Sequence, residues 1–220
     1  MRLRNRPWAA PELSVCPFYI KHCEEFKGHW KERFGNENPI WLEIGCGKGL
    51  FLKGIAPKSS NINFIGADVK SLMLAYARRN IQAAYDEINE PITNVLLLSV
   101  DAERIYNAFC SDDEISRIII NFSNPWPKPK HHKKRLMHPK QLENYKMFLK
   151  NEALIEFKTD NDEYYLDTID YLNSCGFMII EHLYDYYECH PIDESLLTEH
   201  EAKFISQGLP IHYIKANLIK

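Results

Sequence analysis

Trp41-Leu42-Glu43-Ile44-Gly45-Cys46-Gly47-Lys48-Gly49-Leu50 reads as a short apolar strand that runs straight into a glycine turn and then a helix. Glycines at alternate positions let the backbone turn tightly and come close to a ligand. A dinucleotide site takes G-x-G-x-x-G, and Leu50 stands where its third glycine belongs, which counts against a nicotinamide-dependent oxidoreductase. Outward from the turn, a helix is expected over residues 50–56, then a second strand over 62–67 that ends at Asp68. Asp68 lies about 20 residues past the turn, where an acid can accept both hydroxyls of a ribose. A helix over 70–88 leads to a third strand, 93–100, ending at Asp101. One strand-end Asp is commonly a helix N-cap. Glu43, Asp68 and Asp101 at the ends of three successive strands point instead to a nucleoside site.

The alternation continues. A short helix is expected near 102–109 and a fourth strand over 117–122, containing the β-branched run Ile118-Ile119-Ile120 of a strand buried on both faces. Helices follow near 139–149 and 163–174, a strand over 153–158, and two last strands over 177–187 and 210–218. Strand and helix in turn predict an α/β fold with a mainly parallel sheet wound on both faces.

The fourth strand emits Asn121-Phe122-Ser123-Asn124-Pro125-Trp126-Pro127-Lys128-Pro129-Lys130-His131-His132-Lys133-Lys134-Arg135-Leu136. Pro125, Pro127 and Pro129 each lack an N–H and restrict the preceding residue, so a stiff loop is expected at the ligand-binding end of the sheet. Lys128, Lys130, His131, His132, Lys133, Lys134 and Arg135, beside Trp126, make a footprint suited to a phosphate backbone and a stacked base.

The 220 residues suit one domain: an N-terminal arm and helix over 1–38, the helix near 21–34, laid on a main domain over 39–220. The net charge of −3 does not mark a nucleic-acid binder. Attraction for RNA must come from local clusters: the loop, and Arg2, Arg4 and Arg6. Six cysteines show no C-x-x-C pair, which fits free thiols in a reducing compartment. No apolar leader follows the N-terminus and no run approaches a membrane span, so a cytoplasmic location is expected.

The spacing Glu43-x-Gly45-x-Gly47-x-Gly49 resembles motif I of the S-adenosylmethionine-dependent methyltransferases. The proline-rich loop, with Phe157-Lys158-Thr159-Asp160-Asn161, Thr198-Glu199-His200-Glu201-Ala202-Lys203-Phe204 and the opening Met1-Arg2-Leu3-Arg4-Asn5-Arg6-Pro7-Trp8-Ala9, is similar to the bacterial tRNA (guanine-N7-)-methyltransferases over nearly the whole chain. That resemblance implies a Rossmann-like class I methyltransferase fold of seven strands, the last antiparallel. It implies S-adenosyl-L-methionine as cofactor, tRNA as partner, and methylation at N7 of the guanine at position 46. Glu43, Gly45, Gly47, Gly49, Asp68, Asp101 and Asn124 would line the cofactor site. Lys128, Asp160, Thr198, Glu199, His200 and Glu201 would hold the substrate. The family usually has Asp at the place of Asn124, which keeps a carbonyl acceptor but loses the charge. Guanine N7 carries no proton, so Asn124 need only position ligands, while Asp160 is expected to face the guanine ring as it becomes cationic. Glu201 is expected to share in accepting the guanine N1–H and N2–H. The rivals are a small-molecule methyltransferase and a silent RNA-binding protein; monomer and homodimer remain equally open.

Overall fold

The structure is a computed structural model and describes residues 6–219. Its elements in chain order are α1 (Ala9–Ser14), β1 (Tyr19–Ile20), α2 (Trp30–Phe34), β2 (Ile40–Ile44), α3 (Leu50–Ile55), β3 (Asn63–Asp68), α4 (Ser71–Ile88), β4 (Val95–Ser99) and β5 (Ile115–Asn121). Then come α5 (Pro139–Lys146), β6 (Leu149–Thr159), α6 (Asp162–Ser174), β7 (Phe177–Leu183), α7 (Tyr186–Cys189), α8 (Glu199–Ser206) and β8 (His212–Leu218). One sheet has the order β1-β4-β3-β2-β5-β6-β8-β7. β8 runs antiparallel to both its neighbours, and the other pairings are parallel.

The sheet has eight strands against the seven expected, because Tyr19–Ile20 adds a two-residue edge beside Leu97 and Leu98. A strand that short carries no readable alternation. The helix expected over 21–34 is also corrected. A 3-10 turn at Cys23–Phe26 and α2 are separated by Gly28, whose φ of +83° breaks any continuous helix and whose N–H donates to Asp113. The arm contributes α1 instead, which packs on α4 through buried Ala9 and Leu13 and an ion pair between Glu12 and Arg79.

Burial explains the central elements. β3 is buried at five of its six positions, as a parallel strand covered on both faces requires. α4 buries Leu74, Ala75, Ala77, Ile81, Ala84 and Tyr85 along one stripe and stops at Asn89, which takes the left-handed conformation. Trp30, Leu42, Phe64, Ile118 and Phe157 belong to one continuous core. Among the described residues no helix is long and apolar enough to cross a membrane.

The chain winds from β2 outward to β3 and β4, then returns to place β5 on the other side of β2. At that switch point the loops leaving β2 and β5 diverge and open a crevice at the carboxyl ends of the strands. The glycine turn and the proline-rich loop are its two lips.

Candidate active site

The turn after β2 uses the left-handed conformation at all three glycines, with φ of +82°, +53° and +66° at Gly45, Gly47 and Gly49. At Gly49 a side chain has no room, since a Cβ there would lie 2.8 Å from the Cβ of Ala77 on α4. The close helix approach that a dinucleotide fingerprint assigns to its third glycine is thus met one residue earlier here. The Gly47 N–H donates to one oxygen of Asp68 at 3.1 Å, and the Lys70 N–H donates to the other at 2.7 Å. Burial pushes the Asp68 carboxyl above its usual range, and these N–H donors oppose the rise.

Two cavities meet at Gly45. The larger, about 260 Å³, is walled by Ile44, Asp68, Val69, Val100, Asp101, Asn124, Trp126 and Leu136. The smaller, about 150 Å³, is walled by Glu43, Gly47, Asn121, Phe122, Thr198, Glu199 and His200, among others. Glu43 is 3% exposed. One of its oxygens accepts from the Asn121 amide at 3.3 Å, while the other is buried with no partner. Burial pushes its pKa up to about 8. A buried carboxyl oxygen without a donor is costly and marks a place where a ligand can supply one.

The lip after β5 is braced from below. Arg135 is fully buried; its guanidinium donates to the Pro125 carbonyl, to Asp167 and, at 3.1 Å, to Glu163, and it lies over the Tyr164 ring. Tyr164 OH accepts from the Met137 N–H, and burial pushes its pKa up to about 12. Asn124 serves the turn itself, its carbonyl oxygen accepting from the Trp126 N–H at 2.9 Å.

Several sequence expectations change accordingly. Arg135 does not meet RNA: its charge is sealed inside, holding the loop to α6. His132 is half-buried between Arg135 and Glu163 rather than offered to solvent. The loop also contains a 3-10 turn at Pro129–Lys134 where no regular structure was expected. Lys128, Lys130 and Lys133 are exposed, and Lys134 sits over the Trp126 ring at the rim of the larger cavity. His131 packs edge-on against Trp126. Arg6 is exposed, whereas Arg2 and Arg4 lie outside the described residues.

Glu201 is corrected as well. It is 2% exposed, and its oxygens accept from Lys158 at 2.7 Å, Tyr187 OH at 2.9 Å and the Thr198 N–H at 2.9 Å. It completes the capping box of α8, is tied to Lys158 and Tyr187, and lines neither of the two cavities that meet at Gly45. Thr198, Glu199 and His200 do wall the smaller cavity, and Glu199 reaches across to Lys48 of the glycine turn at 2.5 Å. Asp101 caps the 3-10 turn that follows it while facing the larger cavity. Asp160 is exposed just past β6, and neither it nor Lys128 forms part of the wall of either cavity. Phe122, expected as the end of the fourth strand and given no site role, walls the smaller cavity with a φ of +51°. No sequence signal marks a left-handed phenylalanine.

The profile of a family described as "Putative methyltransferase" matches residues 37–214. A tRNA (guanine-N(7)-)-methyltransferase of Clostridium beijerinckii is 46% identical over 216 residues, 98% of each chain. The chain belongs to this family. The tRNA (guanine-N(7)-)-methyltransferase of Ruminiclostridium cellulolyticum is 45% identical over 217 residues, covering 98% of this chain and 92% of the relative. Among solved structures, the 16S rRNA methyltransferase KamB aligns with a TM-score of 0.65 at 13% identity, over 87% of this chain and 93% of its own. A structure described as an antibiotic-related methyltransferase gives 0.60 at 19% identity, over 87% and 92%. These two likenesses establish the class I methyltransferase fold. In this chain the glycine turn, the strand-end acids and the basic proline loop surround one crevice.

Proposed function

We propose that this chain transfers a methyl group from S-adenosylmethionine to N7 of a guanine in tRNA, position 46 of the variable loop being the family's expected target. One observation carries the reading. In a chain 46% identical to such an enzyme over nearly its whole length, the β2–β5 switch point sets a nucleoside-type cavity against a braced, lysine-bearing loop.

The donors and walls fit the cofactor. Each oxygen of Asp68 accepts one backbone N–H and keeps a lone-pair site, so the carboxylate can still receive the two hydroxyls of a ribose. Ile44, Val69, Val100 and Leu136 give the same cavity apolar walls for a flat ring. The unpartnered oxygen of Glu43, across Gly45, suits the ammonium of an amino-acid tail. When bound, the cofactor supplies an electrophilic methyl on a sulfonium. Guanine N7 has a lone pair and no proton, so no residue has to act as a base, and the chain's work is placement. Asn124 contributes by holding the β5 lip in its turn. Asp160, exposed at the carboxyl end of β6 next to that lip and outside the walls of both cavities, is the carboxylate assigned to offset the positive charge that develops on the guanine ring. Lys128, Lys130 and Lys133 meet phosphates.

The test is a pair of tRNA transcripts, one ordinary and one with 7-deazaguanosine in place of guanosine. With methyl-labelled cofactor the first is expected to take label and the second none. Equal labelling of both would overturn N7 as the acceptor.

A further inference from the structure

Phe122 is the first residue after β5, and its φ of +51° places a bulky side chain where glycine is the unstrained choice. Its N–H is fixed to the Lys158 carbonyl at 2.9 Å, so the backbone cannot relax without breaking the β5–β6 pairing. Backbone strain of this kind collects at functional sites, and here its effect is to aim an aromatic ring into the smaller cavity. The ring lies nearly parallel to the imidazole of His200, 14° between planes and 5.8 Å between centroids. Phe204 packs against both rings from behind and is 9% exposed.

A ring needed only to anchor α8 duplicates what buried Phe204 already does, and an anchor would not require a left-handed backbone. Both rings also wall the smaller cavity, where a base can stack on them. The centroid separation of 5.8 Å is that of an offset-stacked pair, so the two rings must part for a purine to enter between them. One jaw is rigid, since Phe122 continues a core strand. The other is adjustable: His200 sits in the first turn of α8, held against the glycine turn by the exposed Lys48–Glu199 ion pair. Glu43 and Asn121 lie along the same cavity, which meets the nucleoside cavity at Gly45.

We propose that Phe122 and His200 form the two faces of the slot that receives the target purine of the RNA, with Phe122 as the fixed platform. The inference rests on the reading of the chain as a tRNA guanine methyltransferase and names how the base is held. A base taken out of its stack loses its neighbours, and two parallel rings replace them in a sequence-tolerant way.

The probe is a tRNA carrying 2-aminopurine at the target position, a base that brightens when unstacked and is quenched when stacked on an aromatic ring. Binding to the wild-type protein is expected to leave it dim, and binding to Phe122→Leu to make it bright. With ordinary tRNA, Phe122→Leu is expected to lose at least about tenfold in kcat/KM, more than any change in cofactor affinity. Phe122→Tyr should stay within about threefold of wild type. His200→Ala, which leaves β5 untouched, is expected to brighten the probe in the same direction. A dim probe in Phe122→Leu and His200→Ala, or unchanged kinetics in both, overturns the slot while wild-type activity keeps the functional reading intact. A wild-type protein that labels no guanine in ordinary tRNA removes that reading and the slot with it.

Discussion

Glu43 holds a proton at neutral pH that an exposed carboxyl would have lost, because burial lifts its pKa from 4.5 to about 8. Between those values the unfolded chain releases the proton while the folded chain keeps it, so this group lowers stability as pH rises through that window. Gln needs no proton there. Glu43→Gln is expected to gain about 1 kcal/mol or more at pH 7, read as a higher Tm, with the gain disappearing toward pH 4. A cationic group beside the carboxyl would draw the proton off, so cofactor affinity should increase toward pH 8 in the wild type and lose that slope in Glu43→Gln. Calorimetry in two buffers of different ionisation enthalpy measures the released proton. Asp68→Ala is expected to weaken cofactor binding by about 1.5–3 kcal/mol and leave tRNA affinity nearly intact. Both acids were legible in the sequence because a strand end and a glycine turn fix where such residues point. The unpartnered oxygen of Glu43 was not, since it depends on how β5 packs beside β2.

At the scale of elements, the basic loop separates into charges that face outward and one that faces in. Arg135→Ala removes the brace between Pro125 and α6, leaving Asp167 and Glu163 without their guanidinium partner, and is expected to cost about 3–5 kcal/mol of stability. Lys130→Ala with Lys133→Ala should leave the Tm unchanged and lower the log–log salt slope of tRNA binding by about 0.7–0.9 for each phosphate no longer neutralised. A salt slope unmoved by the double lysine change would place the RNA path elsewhere. A run of basic residues reads the same whether or not one of them turns inward. The partners that decide it, Glu163 and Asp167, lie 28 and 32 residues further along the chain. The capping box Thr198–Glu201 conceals Glu201 in the same way: its sequence pattern marks a helix start, but the bonds to Lys158 and Tyr187 are tertiary. The long helices came through in the sequence because a stripe of apolar residues over 18 positions leaves little choice, as in α4. The broken 21–34 segment did not, because Gly28 and its bond to Asp113 outweigh a weak helical pattern.

For the whole molecule, the order β4-β3-β2-β5-β6 puts every element of the proposed chemistry at one end of the sheet. The glycine turn and Asp68 come from one side of the switch point, Asn124 and the lysines from the other. On the proposed reading such an arrangement works by placing N7 and needs no base at position 124. The native chain, carrying Asn124, is therefore expected to be an active guanine-N7 methyltransferase. The most direct measurement is turnover of wild type and Asn124→Asp on unmodified tRNA with methyl-labelled cofactor, followed by nucleoside analysis. 7-Methylguanosine is expected as the labelled product of both, with rates within about tenfold of one another, or 1.4 kcal/mol. A nearly inactive wild type rescued by orders of magnitude in Asn124→Asp would contradict the account and make the carboxylate at that position the catalytic group.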